Sequence, residues 1–153
     1  MFMLRKFVSS LLCVLFLFGC GASSSAGSAA SAASEAEAIV SQLNLSDKMD
    51  KVEDRIIKGL FFFEEGQLSD SSVYIANDKS ADIVAVFIGD DTAAIREKVT
   101  QYLASAKEQM QNYYPDEVFK IDNAIIQEAG NQVALIVTSD IENARKVAES
   151  VIR

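Results

Sequence analysis

Adjacent acidic side chains occur at several places in this sequence, and paired carboxylates are the groups that many hydrolases use for acid–base chemistry. Three such pairs are Glu64-Glu65, Asp90-Asp91 and Asp116-Glu117. A glycoside hydrolase holds two carboxyl groups about 5 to 10 Å apart across a cleft, whereas neighbours in sequence tend to point apart. The chain also lacks tryptophan, which weakens a sugar-binding platform. Solvated turns explain the pairs more simply, and hydrolysis of cell-wall glycan by carboxylates is kept as the alternative.

Other catalytic chemistries lack the side chains that they need. The sequence has no histidine, and Cys13 and Cys20 are its two cysteines. Zinc, copper and haem sites therefore lose their usual ligands, and histidine-based nucleophile systems cannot form. The patterns Gly-x-Ser-x-Gly, Ser-x-x-Lys and Gly-x-x-x-x-Gly-Lys do not occur. We therefore predict no enzyme activity, no cofactor and no metal site.

Cys20 has the clearest predicted chemistry, because of the segment that precedes it. Arg5 and Lys6 come before an apolar run over residues 7–18, and Gly19 follows the run. The run is shorter than the roughly 20 residues of a membrane span, and a small residue follows it, which is typical of a secretory signal. We predict that residues 1–19 are a signal peptide that is removed.

The four residues that end this segment, Leu17-Phe18-Gly19-Cys20, resemble the lipobox of bacterial lipoproteins. The resemblance implies that the Cys20 sulfur carries a diacylglyceryl group and that Cys20 becomes the first mature residue. Two acyl chains, such as palmitate, are enough for stable membrane attachment. The expected location is therefore extracytoplasmic, with a lipid anchor in the cell membrane. A plain secretory signal with an incidental Cys20, or an uncleaved signal anchor, is the alternative.

The composition after Cys20 divides the mature chain into a tether and one domain. Residues 21–34 are all glycine, alanine or serine, so we assign residues 20–34 to the lipidated cysteine and a flexible tether. Charged and apolar residues mix from Glu35 onward, and residues 35–153 have the size of one domain. Loss of Arg5 and Lys6 leaves 12 basic against 22 acidic residues, a net charge of −10. This acidity disfavours nucleic acid as a partner.

The hydrophobic patterns of the domain predict both helices and strands. Helices are expected over residues 35–45, 46–56, 92–113 and from 140 to the C-terminus. Strands are expected over residues 73–76, 81–88, 118–128 and 132–139. Together they predict a two-layer α+β domain with a mainly antiparallel sheet of four to five strands. The long central helix and the C-terminal helix are expected to pack on one side of that sheet.

Two aromatic segments are candidate contacts for a partner. Phe61, Phe62 and Phe63 form the densest aromatic patch, and Tyr113 and Tyr114 precede the chain's one proline. A buried or edge strand explains the three phenylalanines without a partner, whereas an exposed groove would bind an envelope protein, a peptide or a wall component. We predict a non-catalytic binding module with these five side chains as candidate contacts. Pairing of two copies through an exposed strand edge is a further alternative.

Several short motifs are similar to those of a known family. They are Ala85-Val86-Phe87, Tyr113-Tyr114-Pro115-Asp116, Asn123-Ala124-Ile125 and Gly130-Asn131-Gln132-Val133. With the long helix, they make the chain resemble the DUF4358 family, a domain of unknown function, over about residues 47–139. The resemblance implies a small lipoprotein of a Gram-positive bacterium related to clostridia. It implies no activity, because the family has no assigned activity or catalytic motif.

Overall fold

The structure, a computed structural model, describes residues 31–153. Its strands are β1 (Met49–Lys51), β2 (Asp70–Ala76), β3 (Ile83–Ile88), β4 (Ile125–Ala129) and β5 (Gln132–Val137). Its helices are α1 (Ala32–Gln42), α2 (Asp54–Phe61), α3 (Thr92–Tyr113), α4 (Val118–Asp122) and α5 (Ile141–Val151), with a 3₁₀ turn at Pro115–Glu117. The strands form one antiparallel sheet in the order β1-β2-β3-β5-β4. None of the helices in residues 31–153 has the length and apolar content needed to cross a bilayer.

Both faces of the sheet are covered by helices. Successive side chains of a strand point to opposite faces, and all six residues of β3 and of β5 are buried. Val84 and Val86 pack in a core with α1 and α5, whereas Ala85 and Phe87 pack in a second core with α2 and α3. The central strands therefore separate two apolar cores.

The predicted α+β class and the mainly antiparallel sheet of four to five strands are confirmed. The layering differs from the prediction, because the long helix α3 and the C-terminal helix α5 lie on opposite faces of the sheet. The domain thus has three layers instead of two. The physical reason lies in β3 and β5, which are apolar apart from Gln132 and therefore need cover on both faces.

The domain begins earlier than its composition predicts. Ser31 is the N-cap of α1, and its hydroxyl accepts a hydrogen bond from the Ser34 N–H at 3.2 Å. Ala32 is completely buried, so residues 31–34 belong to the domain and not to the tether. Alanine and serine suit a linker and a helix start equally well, which is why composition misplaced this boundary. The rest of the predicted tether, the signal peptide and Cys20 lie outside the described residues.

Three segments adopt structures other than the predicted ones. Residues 46–56 form β1 and the start of α2 instead of one helix. Residues 60–63 end α2 instead of forming a strand, because Phe62 takes a left-handed conformation with φ of 57°. Residues 118–128 begin with α4 before they enter β4. Short apolar runs fit either a helix or a strand, and here contacts with distant residues select the structure.

The two predicted strand pairs and the long helix are confirmed. β2 pairs with β3 and β4 pairs with β5, and Gly130 in the second turn has φ of 57°. Helix α3 has 22 residues and begins after Asp91, whose side chain accepts a hydrogen bond from the Ala94 N–H at 2.9 Å. Pro115 follows its last turn.

A buried polar pair joins α1 to the central strand β5. Gln132 Nε2 donates to Glu35 Oε1 at 3.0 Å, and the two residues are 5% and 9% exposed. Glu35 Oε2 and Gln132 Oε1 have no hydrogen-bond partner within residues 31–153. Burial raises the pKa of Glu35, and the hydrogen bond from Gln132 offsets part of that effect. The pair positions α1 at a cost in stability that grows as the pH rises through the raised pKa.

Two glycines form a matched test of how closely the elements pack. A Cβ at Gly89 would lie 2.5 Å from the Gln67 backbone oxygen and 2.9 Å from Ile95 Cδ1. Gly89→Ala is therefore expected to lower the free energy of unfolding by about 1 to 3 kcal/mol. Gly59 lies inside α2, and a Cβ added there would meet nothing within 4 Å beyond its own turn of helix. Gly59→Ala should therefore raise the free energy of unfolding by about 0.5 to 1 kcal/mol.

Urea unfolding followed by circular dichroism measures both changes. Equal effects of the two substitutions would contradict the close packing at Gly89.

Candidate functional site

Four polar side chains meet where the turn between β2 and β3 faces the start of α4. Ser80 and Asp82 come from that turn, and Glu117 and Lys120 come from the 3₁₀ turn and α4. Lys120 Nζ lies 2.8 Å from Glu117 Oε2 and 3.3 Å from Asp82 Oδ2. It also donates to Ser80 Oγ at 2.8 Å. We call these four residues the Lys120 cluster.

Hydrogen bonds fix the geometry of the Lys120 cluster. Ser80 Oγ donates to Asp82 Oδ2 at 2.6 Å, and the Ala81 N–H donates to Glu117 Oε2 at 2.8 Å. The side chain of Lys120 is 10% exposed, because it lies under the turn that it binds. The cluster therefore ties two segments that are almost forty residues apart in the sequence.

The charges of the Lys120 cluster stabilise one another. Burial acts to raise the pKa of Glu117, but hydrogen bonds from Lys120, Ala81 and Ser80 outweigh it and lower that pKa. Burial acts to lower the pKa of Lys120, and Glu117 and Asp82 together outweigh it and raise that pKa. Two carboxylates and one ammonium leave a formal charge of −1. Asp82 Oδ1 is buried and has no hydrogen-bond partner within residues 31–153.

An open cleft of about 680 Å³ adjoins the Lys120 cluster. Tyr113 and Tyr114 line it and are 75% and 37% exposed. Lys79 Nζ lies 5.9 Å from the centre of the Tyr114 ring, within range of a cation–π contact. Lys48 and Asp116 add one exposed charge of each sign. We call this region the Tyr114 cleft.

A smaller apolar cavity, of about 190 Å³, lies between α3 and the sheet. Ser80 and Asp82 line both this cavity and the Tyr114 cleft. Burial raises the pKa of Tyr102, another lining residue. We call it the α3 cavity, and its apolar wall includes Leu60, Ile75, Ala81, Leu103, Ala106 and Met110.

The structure separates the five candidate contact residues. Phe61 and Phe63 are buried against Phe87, with ring centres 4.8 and 5.1 Å away, so they form core and leave no surface for a partner. Phe62 is 61% exposed at the end of α2. Tyr113 and Tyr114 lie together at the cleft, at the C-terminal end of α3.

The adjacent acidic pairs do not act as pairs. Glu117 joins the Lys120 cluster, whereas Asp116 is exposed. Asp91 caps α3, and Glu65 forms an exposed ion pair with Lys58. Sequence reasoning missed the pairing of Asp82 with Lys120, although Asp82 begins an apolar run and Lys120 interrupts one.

The sequence profile of the DUF4358 family, a domain of unknown function, matches residues 41–138, which is more than half of the chain. The chain belongs to the DUF4358 family. The matched region contains all five strands of the described sheet and the whole Lys120 cluster, whereas α5 and nearly all of α1 lie outside it. No curated protein and no solved structure matches the chain.

Removal of the cation from this DUF4358 domain tests the Lys120 cluster. Lys120→Met leaves two largely buried carboxylates without compensation and is expected to lower the free energy of unfolding by about 3 kcal/mol at pH 7. The ordinary pKa of Glu117 is 4.5, and its pKa in the cluster is lower. The stability that ionised Glu117 contributes is therefore fully present above pH 4.5 and is lost as the pH falls through the lowered pKa. The variant and the wild type should therefore converge in acid.

Lys146→Met, on the exposed side of α5, is the matched control and should change stability by less than about 0.5 kcal/mol. Urea unfolding between pH 3 and pH 8 measures both variants. A Lys120→Met chain as stable as the control at pH 7 would argue against the cluster as a structural tie.

Proposed function

We propose that the DUF4358 domain is the binding module of a lipoprotein held at the outer face of the cell membrane, and that its ligand binds in the Tyr114 cleft. The observation that carries the proposal is the placement of Tyr113 and Tyr114, which are exposed beside a cleft lined by polar side chains. Aromatic side chains with one apolar and one polar end are enriched at binding surfaces. A peptide, an envelope protein or a wall component is the expected class of ligand.

The charges along the cleft favour a ligand that offers both apolar and polar groups. Lys48 and Lys79 provide positive charge, and Asp78 and Asp116 provide negative charge at the same wall. These carboxylates would repel a purely anionic polymer. A purely apolar polymer would bury them without hydrogen-bond partners. Peptides and the peptide-bearing wall satisfy both requirements.

A hydrolase acting on cell-wall glycan is the second candidate, because Asp82 and Glu117 share the cleft. A general acid must hold a proton at the working pH, which usually requires a raised pKa. The pKa of Glu117 is lowered instead, and both carboxylates bind Lys120. Binding without catalysis therefore has the better support.

The membrane location belongs to the same proposal and rests on the lipobox-like residues that end in Cys20. We expect Cys20→Ala to move the protein from the membrane fraction to the soluble fraction and to abolish labelling by a palmitate analogue. Cys13→Ala is the matched control, because Cys13 lies inside the predicted signal peptide, and its membrane partition should not change. Equal partition of both variants and the wild type would contradict the lipid anchor.

Binding to purified cell-wall sacculi and crosslinking in intact cells test the cleft. Replacement of both Tyr113 and Tyr114 by alanine should reduce the bound or crosslinked protein about tenfold or more, because it removes the exposed aromatic surface. Phe62→Ala removes an aromatic side chain of similar exposure at a different place and should leave binding unchanged.

Loss of binding in Phe62→Ala, with full binding in the double tyrosine variant, would move the site to the end of α2. No binding of the wild type to the wall or to any envelope protein would contradict the proposal itself.

A further inference from the structure

We infer that the α3 cavity receives the amino-terminal residue of a peptide, with an aliphatic side chain inside the cavity and its ammonium group on Asp82. The inference rests on the proposed function, because it specifies the ligand class for the same region. The cavity and the Tyr114 cleft share Ser80 and Asp82. A peptide that starts in the cavity can therefore continue into the cleft.

The size and lining of the α3 cavity suit one aliphatic side chain. Its volume is about 190 Å³, and an apolar protein cavity of about 150 Å³ is large enough to bind benzene. Leu60, Leu103 and Ala106 on its wall present only carbon atoms from their side chains. Burial of an aliphatic side chain there would contribute about 1.5 to 3 kcal/mol of binding free energy.

The charge at the edge of the cavity favours an ammonium over a carboxylate. Asp82 Oδ2 accepts hydrogen bonds from Ser80 and Lys120, whereas Asp82 Oδ1 has none within residues 31–153. The Lys120 cluster has a formal charge of −1, so a second cation would neutralise it. A buried carboxylate oxygen without a donor is costly, and a ligand N–H⁺ would supply that donor.

Access to Asp82 Oδ1 requires a small side-chain movement, because the atom is shielded from solvent. Met110 lies on the cavity wall and is partly exposed. Its unbranched side chain has three rotatable bonds and adapts readily to a ligand. Met110 is therefore the residue whose environment should change most when the cavity fills.

Met49 and Met110, the two methionines within residues 31–153, provide a direct readout. The purified full chain, labelled with ¹³C at the methionine methyl groups, is titrated with L-leucinamide, which carries an aliphatic side chain and an ammonium group. The methyl NMR signal of Met110 should shift during the titration. Met49 is buried in the opposite core and should not shift.

Two analogues of L-leucinamide test the ammonium group and the aliphatic side chain separately. Glycinamide has the ammonium group without the side chain, and N-acetyl-L-leucinamide has the side chain without the charge. Each should need at least a tenfold higher concentration for half-saturation than L-leucinamide. Equal binding of N-acetyl-L-leucinamide would overturn the role of Asp82, and equal binding of glycinamide would overturn the role of the cavity.

Three variants complete the test. Ala106→Leu fills the cavity, and Asp82→Asn removes the charge; each should weaken L-leucinamide binding at least tenfold. Asp90→Asn removes an exposed carboxylate beyond the other end of β3 that lines neither the cavity nor the cleft, and this variant should bind as the wild type does. Thermal melting of each variant verifies folding, and Ala106→Leu keeps the test valid if Asp82→Asn unfolds.

Failure of this inference can be distinguished from failure of the proposed function. If Ala106→Leu keeps full binding to sacculi or to the crosslinked partner while the double tyrosine variant loses it, the cavity inference fails and the cleft remains the site. If no probe shifts Met110, the cavity inference also fails. If both variants keep full binding, both proposals are wrong.

Discussion

The pairing of β3 with β5 is the constraint on which the rest of the domain depends. Six residue pairs join these strands, from Ile83 with Val137 to Ile88 with Gln132, and every residue in them is buried. Two neighbouring strands that are apolar on both faces need cover on both sides of the sheet. The chain meets this need with α1 and α5 on one face and with α2 and α3 on the other. The hairpin partners β2 and β4 extend the same sheet outward.

Buried polar side chains are placed at opposite ends of this central pair. Asp82 lies just before β3, at the end where Ile83 pairs with Val137, and it binds Lys120 there. Gln132 begins β5 at the other end and binds Glu35. The charged groups Asp82 and Glu35 thus lie at the ends of the apolar strands, where each has a partner side chain within hydrogen-bond distance. The candidate site lies at the first of these ends because a cleft and a cavity adjoin it.

Local patterns predicted those parts of the fold that depend on neighbours in sequence. The two strand pairs, the length of α3 and the C-terminal helix α5 follow from periodicity and turn residues. Layering did not follow, since it depends on which face each helix covers. The three phenylalanines show the same limit: a helical turn that ends at Phe62 exposes that ring and buries the rings on either side. The Lys120 cluster was not predicted either, because its ion pair between Asp82 and Lys120 joins residues 38 positions apart.

The order of the strands has a consequence for how the chain is made. A polypeptide is synthesised from its amino terminus, so β3 leaves the ribosome long before β5, which must lie beside it. Helix α1 packs against β2 and β3 and also against α5, the last helix of the chain, so its packing is completed last. Pairing of strands that are distant in the sequence is slow. The central strand pair can therefore form only after residues 132–137 have been synthesised, late in the chain.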